Sequence, residues 1–134
     1  MGYQRAEQPL KLDGLDAARS FFTSWVTQTG SSGENIWVAH VDGQAHCLYF
    51  TRHQGDENGA DLPIGSIMRD AVRYGSSGII LAHNHPSGDP TPSESDRRAT
   101  RRLVTAAEAL DCTILDHLVF AGGKCASFRS MGLL

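Results

Sequence analysis

One mixed β-sheet with helices packed on it, an α/β (α+β) architecture in a single domain, is the fold class this sequence predicts. Three observations point there. Periodic segments run in the order helix, strand pair, helix, strand, helix, strand pair. The uninterrupted apolar run Gly78-Ile79-Ile80-Leu81-Ala82 reads as a strand buried on both faces. Two turn signals, Asp42-Gly43 and Gly122-Gly123, each join a pair of strand-like segments. The alternation is too irregular for a doubly wound fold and suits one mixed sheet.

The 134 residues suffice for one hydrophobic core without disulfides. A net charge of -3 excludes a global electrostatic attraction to nucleic acid or an anionic membrane. No apolar run approaches the roughly 18 residues of a membrane span, and residues 1–5 lack the apolar stretch of a leader. Cys47, Cys112 and Cys125 are odd in number and show no Cys-x-x-Cys spacing, as expected for reduced thiols of a cytoplasmic protein.

Taken in order, residues 1–11 form a polar, frayed N-terminal segment and residues 12–134 the folded domain. Asp13 caps a helix with Leu15, Ala18, Phe22 and Trp25 on its apolar face, and 28–33 is a loop. Strands follow at 36–41 and 45–50, then a polar, acidic loop at 55–61. A second helix over 64–74 carries Ile67, Ala71 and Tyr74 on one face and ends before Gly75. After the buried strand, Pro86, Pro90 and Pro92 stiffen a short segment and lower the entropy lost in holding it. Ser93 starts a third helix with Ala99, Leu103, Ala106 and Leu110 inward. Segments 113–120 and 125–128 make a closing hairpin.

The chemistry concentrates in one run, His83-Asn84-His85-Pro86-Ser87-Gly88-Asp89-Pro90-Thr91-Pro92-Ser93-Glu94-Ser95-Asp96. Side chains alternate along a strand, so His83 and His85 project from the same face, as two ligands of one ion must. Two histidines and a carboxylate leave a fourth zinc position open for water, the catalytic pattern. The plainer reading of the histidines is a polar rim at a strand end. Asp96 has its own competitor: Ser93-Glu94-Ser95-Asp96 reads as a capping box, which would use the carboxylate locally. The zinc deaminase pattern, His-x-Glu followed by Pro-Cys-x-x-Cys, is absent.

His83-x-His85-x(10)-Asp96, with Ser93 three residues before the aspartate, resembles the JAMM (MPN+) metalloprotease signature. The longer string from His83 to Pro92, with Leu115-Asp116-His117-Leu118 and the ending Ser127-Phe128-Arg129-Ser130-Met131-Gly132-Leu133-Leu134, resembles the RadC family within that group. The similarity covers about residues 13–134. It implies a JAB/MPN-type fold holding one zinc ion per chain through His83, His85 and Asp96. Glu34 stands where the family places its essential glutamate, just before the first core strand. On this resemblance Glu34 and Ser93 are the catalytic residues, the first moving a proton and the second donating to an oxyanion. The implied activity is zinc-dependent hydrolysis of an amide, peptide or isopeptide bond, with a peptide or protein substrate. The stretches Asp56-Glu57-Asn58-Gly59 and Leu62-Pro63-Ile64-Gly65 depart from the RadC-like pattern where substrate contacts would lie, and no ligand position falls in them.

Two other readings stand beside this one. RadC-like proteins carry a DNA-repair label, and Arg97, Arg98, Arg101 and Arg102 would support a nucleic-acid partner; the plainer reading is a solvated helix face with Glu94 pairing with Arg98. A non-catalytic interaction scaffold is the third. Asp116 and His117 are expected either as hydrogen-bond partners of the ligands or as the end of a strand. His40, His46 and His53 are expected at surface or strand positions.

Overall fold

The structure, a computed structural model, describes residues 10–29, 33–54 and 62–134. The acidic loop at 55–61, residues 30–32 and residues 1–9 of the N-terminal segment lie outside the described residues. Helices α1 (Leu15–Thr29), α2 (Ile64–Tyr74) and α3 (Glu94–Glu108) alternate with strands β1 (Asn35–Val41), β2 (Cys47–Gln54), β3 (Gly78–Asn84), β4 (Thr113–Ala121) and β5 (Lys124–Ser127). The strands form one mixed sheet in the order β2-β1-β3-β4-β5. Only β3 and β4 run parallel, joined by the α3 crossover; the other neighbours are antiparallel. The expected single mixed sheet is therefore the observed one.

Each face of the sheet has its own core. On one side Phe21 and Phe22 of α1 pack with Trp37, Phe50, Ile80, Leu118 and Phe120. On the other, Ile67 of α2 and Leu103 of α3 cover Ile36, Val38, Ile79 and Leu81. The strict alternation along β1 and β3 assigns odd residues of β3 to the α2–α3 side. His83 continues that series and so leaves the sheet towards α3. Its place is the carboxyl end of a parallel strand, where open α/β sheets put their ligand sites.

An irregularity in β4 decides what else reaches that side. Ile79 pairs with Ile114, but Ile80 pairs with Asp116, so Leu115 has no partner across the ladder. This bulge shifts the alternation by one and turns both Ile114 and His117 to the α2–α3 face. Gly78 makes the bulge fit, because a Cβ there would lie 2.8 Å from Leu115 Cδ1 and 3.1 Å from Val41 Cγ2.

Several expectations are corrected. Leu15 is exposed and Phe21 takes its place in the core, because α1 presents the 18-21-22-25 face to the sheet. The same helix continues through Gln28 and Thr29, positions expected in a loop. The inner face of α3 is Thr100, Leu103 and Ala107, while Leu110 is exposed beyond the helix end. A buried partner for the Thr100 hydroxyl sets that phase. Leu10 and Lys11, expected in the frayed segment, are held: Cys47 N–H donates to Leu10 O at 2.8 Å and Lys11 bridges to His46. His40 takes a strand position on β1, as one of its two expected placements had it, and is fully buried there with its Nδ1 2.8 Å from Ser76 Oγ. Burial, with His53 adding a smaller repulsion, lowers its pKa to about 4.

Candidate metal centre

The capping box at the start of α3 is complete. Asp96 N–H donates to Ser93 Oγ at 2.9 Å, and Ser93 N–H donates to Asp96 Oδ2 at 2.8 Å. That oxygen also lies 3.0 Å from His85 Nε2 and 3.4 Å from His83 Nε2. Capping and metal binding are thus not exclusive: a carboxylate oxygen has two lone pairs, and the cap uses one. The cap aims the other at the histidines.

The tautomers of both histidines follow from counting donors. Thr100 Oγ–H donates to Asp96 O at 2.8 Å, spending its only proton. Thr100 Oγ can then only accept from His117 Nδ1, also at 2.8 Å. His117 is fully buried and held neutral, first by burial and then by the nearby His83, so its Nε2 is an acceptor. The 2.7 Å contact to His83 Nδ1 is therefore a donation from His83. His83 Nε2 is left with a bare lone pair. His85 reaches the same state separately, because its Nδ1 lies 2.9 Å from Asp89 O, which can only accept.

Two imidazole lone pairs 2.8 Å apart and one carboxylate oxygen therefore face a common point. Such a set is satisfied by a cation. A proton added at His85 Nε2 could donate to Asp96, and this raises the affinity of His85 for a proton against the opposing effect of burial. Burial pushes the Asp96 carboxyl up, but the imidazoles outweigh it and hold the group well below the usual carboxylate range. The three separations of 2.8, 3.0 and 3.4 Å bracket the roughly 3.3 Å between ligand atoms of a tetrahedral ion with bonds of about 2.0–2.1 Å. Glu34, His83, His85 and Asp96 each offer one ligand atom, all within 4.8 Å of one another. The hollow lined by Glu34, His83, Asp96 and His117 measures about 10 Å³, the room of a single water-sized group. The donor set and its spacing fit a metal ion.

Glu34 is placed by a residue that spacing arguments missed. Asn84 sits between the two histidines, and its Oδ1 accepts from Asn35 N–H at 2.7 Å while its Nδ2 donates to Gly33 O at 2.9 Å. One buried amide thus clamps the backbone on both sides of Glu34. The carboxylate is left 3.9 Å from His83 Nε2 and partly exposed. The only signal in the sequence was an asparagine at a strand end, too common to single out.

Of the remaining predicted residues, His117 touches a ligand and Asp116 does not. The Asp116 carboxylate accepts from Ser127 Oγ, His117 N–H and Arg129 N–H, tying β4 to the chain end. Phe128 stacks on the far side of His117, centroids 4.5 Å apart at 17°, and fixes the ring plane. On α3, Glu94 pairs with Arg97 at 2.9 Å and Arg101 at 4.0 Å rather than with Arg98. Ser93 is exposed, and its hydroxyl proton is not used by the cap.

Comparison with known proteins gives the family. The RadC-like JAB domain family matches residues 14–133. Among curated relatives, a UPF0758 protein of Flavobacterium johnsoniae is 33% identical over 132 residues, 97% of this chain and 58% of the relative. One from Chloroflexus aggregans is 45% identical over 110 residues, 73% and 48% of the two chains. One from Chloroflexus aurantiacus is 45% identical over 83 residues, 62% and 36%. The chain thus spans between about a third and three fifths of the length of these relatives. No helix among the described residues is long and apolar enough to cross a membrane. With a family match over nearly the whole sequence, this chain belongs to the RadC-like JAB domain family.

Proposed function

We propose that the protein is a zinc-dependent hydrolase that cleaves a peptide or isopeptide amide bond. The observation that carries this reading is the convergence of His83 Nε2, His85 Nε2 and Asp96 Oδ2 beside the Glu34 carboxylate. Two imidazoles and one carboxylate with a fourth position free is the donor set of catalytic zinc rather than of structural zinc. Zinc held by His83, His85 and Asp96 would supply Lewis acidity, polarising a carbonyl and lowering the pKa of water from about 15.7 towards about 7.

The chain's own residues do the rest. Asp96, aimed by the cap, and the two Nδ1–H histidines hold the ion. Glu34 accepts the proton of the attacking water and delivers it to the leaving amine, for which a carboxylate must stand close yet remain free of its own ion pair with a lysine or arginine. Among the described residues its ionic contact is to His83. The Ser93 hydroxyl donates to the oxygen that gains charge as water adds to the carbonyl; removing such a donor costs about 100-fold or more in turnover.

The test is Glu34→Gln, which keeps shape and removes the base. Turnover of fluorogenic peptide and isopeptide pools should fall by about two to four orders of magnitude while zinc content stays at the parent's level. Full activity in Glu34→Gln would remove the assignment.

A further inference from the structure

A cavity of about 430 Å³ opens beside the metal group, between α1 and the β4–β5 turn. It shares His85 with that group, so a chain lying in it also lies next to the reacting bond. Its floor is apolar, built from Val26, Pro86 and Phe120. The volume is in the range of sites that hold small ligands or a few residues of an extended peptide.

Among the described residues the charge at its rim is all of one sign: Arg19 and Lys124 line the cavity, and no aspartate or glutamate does. Neither cation belongs to any ion pair among the described residues. Asp89 feels the charge of Lys124, but its Oδ1 is already held by the Thr91 N–H and hydroxyl. This basic rim stands on a chain whose net charge is -3, so it is a local feature and not a reflection of composition. The Gly122-Gly123 turn, with φ of 53° and 78°, carries no side chains that would close the mouth.

We propose that this cavity holds an acidic segment of the peptide substrate, with Arg19 and Lys124 pairing with its carboxylates and the apolar floor taking an adjacent aliphatic side chain. The inference rests on the hydrolase reading above and gives it a substrate class. Exposed ion pairs are individually weak, so two of them set a preference of about five- to tenfold for acidic over neutral peptides.

The test uses Glu34→Gln protein, to prevent turnover, and two fluorescent hexapeptide pools. Both are randomised over aliphatic residues at four positions; one has two glutamates at the others, the second two glutamines. Fluorescence anisotropy at low salt should show the glutamate pool binding about five- to tenfold tighter, with the preference shrinking as salt is added. Arg19→Glu with Lys124→Glu should abolish or invert the preference at an unchanged melting temperature, since both side chains are exposed. Chelator-treated protein should keep it. Equal binding of the two pools, binding of neither, or a glutamate preference that survives the charge reversal would each overturn the proposal. Equal binding while zinc remains on the His-His-Asp group removes only the acidic-peptide inference; zinc held elsewhere removes the hydrolase reading whatever the pools do.

Discussion

Replacing Thr100 by valine removes one hydroxyl and preserves the side chain's shape, and the predicted consequence is a loss of metal affinity two hydrogen bonds away. Thr100 is 1% exposed, so no water replaces the lost group. In Thr100→Val the His117 Nδ1–H has no acceptor, at a cost of about 1–3 kcal/mol if the tautomer is kept. The ring can avoid that cost by moving its proton to Nε2. That nitrogen lies 2.7 Å from His83 Nδ1, so His83 must then accept there and carry its own proton on Nε2, the atom that faces the metal position. Either way the ligand is penalised. Loss of such an outer partner typically weakens metal binding by about 10–100-fold, and the upper half of that range is expected because the relay has no exit to solvent. The assay is a zinc competition titration against a chromophoric chelator, with ¹⁵N chemical shifts of the His83 and His117 rings read on the metal-free protein. Thr100→Ser, which restores the hydroxyl, should return both to near the parent values. Parent-like zinc affinity in Thr100→Val, with His83 still protonated at Nδ1, would refute the relay.

Asn84→Ala should lower kcat by at least tenfold while leaving zinc content near the parent's, because it frees the backbone on both sides of Glu34 without touching a ligand; unchanged kcat would mean that the clamp does not position the base. The fold should lose stability below neutral pH partly through His40. Its folded pKa of about 4 lies below the unfolded 6.5, so the unfolded chain alone takes up the proton in between. The stabilisation is complete above the unfolded value, lost as pH falls towards the folded one, and flat below it, amounting to about 3 kcal/mol. Urea titrations across that window should show a shallower pH dependence in His40→Leu by up to one proton; parallel curves would contradict the assignment.

How much of this was legible in the sequence depended on the range of the interaction. Turn glycines, the apolar run of β3 and the spacing of His83, His85 and Asp96 are local signals, and each corresponds to what the fold does. The capping box was readable as well, but a string of residues cannot say that one carboxylate oxygen serves both the cap and the histidines. What stayed hidden depended on phase and on contacts across the sheet. The bulge at Leu115 turns His117 rather than Asp116 towards the metal group, and it arises from the space that Gly78 leaves on the neighbouring strand. Nothing local singles out Thr100, because its partners are on β4 and in its own preceding turn. Asn84 was overlooked for the same reason: both of its hydrogen bonds reach back about fifty residues along the chain. Glu34 was recognised only through family resemblance, since nothing adjacent to it in sequence marks it as more than a loop charge.

The central claim is that one zinc ion is held by His83, His85 and Asp96, and metal analysis of the purified protein beside His85→Ala addresses it directly. The account predicts about one zinc per chain in the parent and in Glu34→Gln, and its loss in His85→Ala. Equal zinc in His85→Ala and the parent would contradict it.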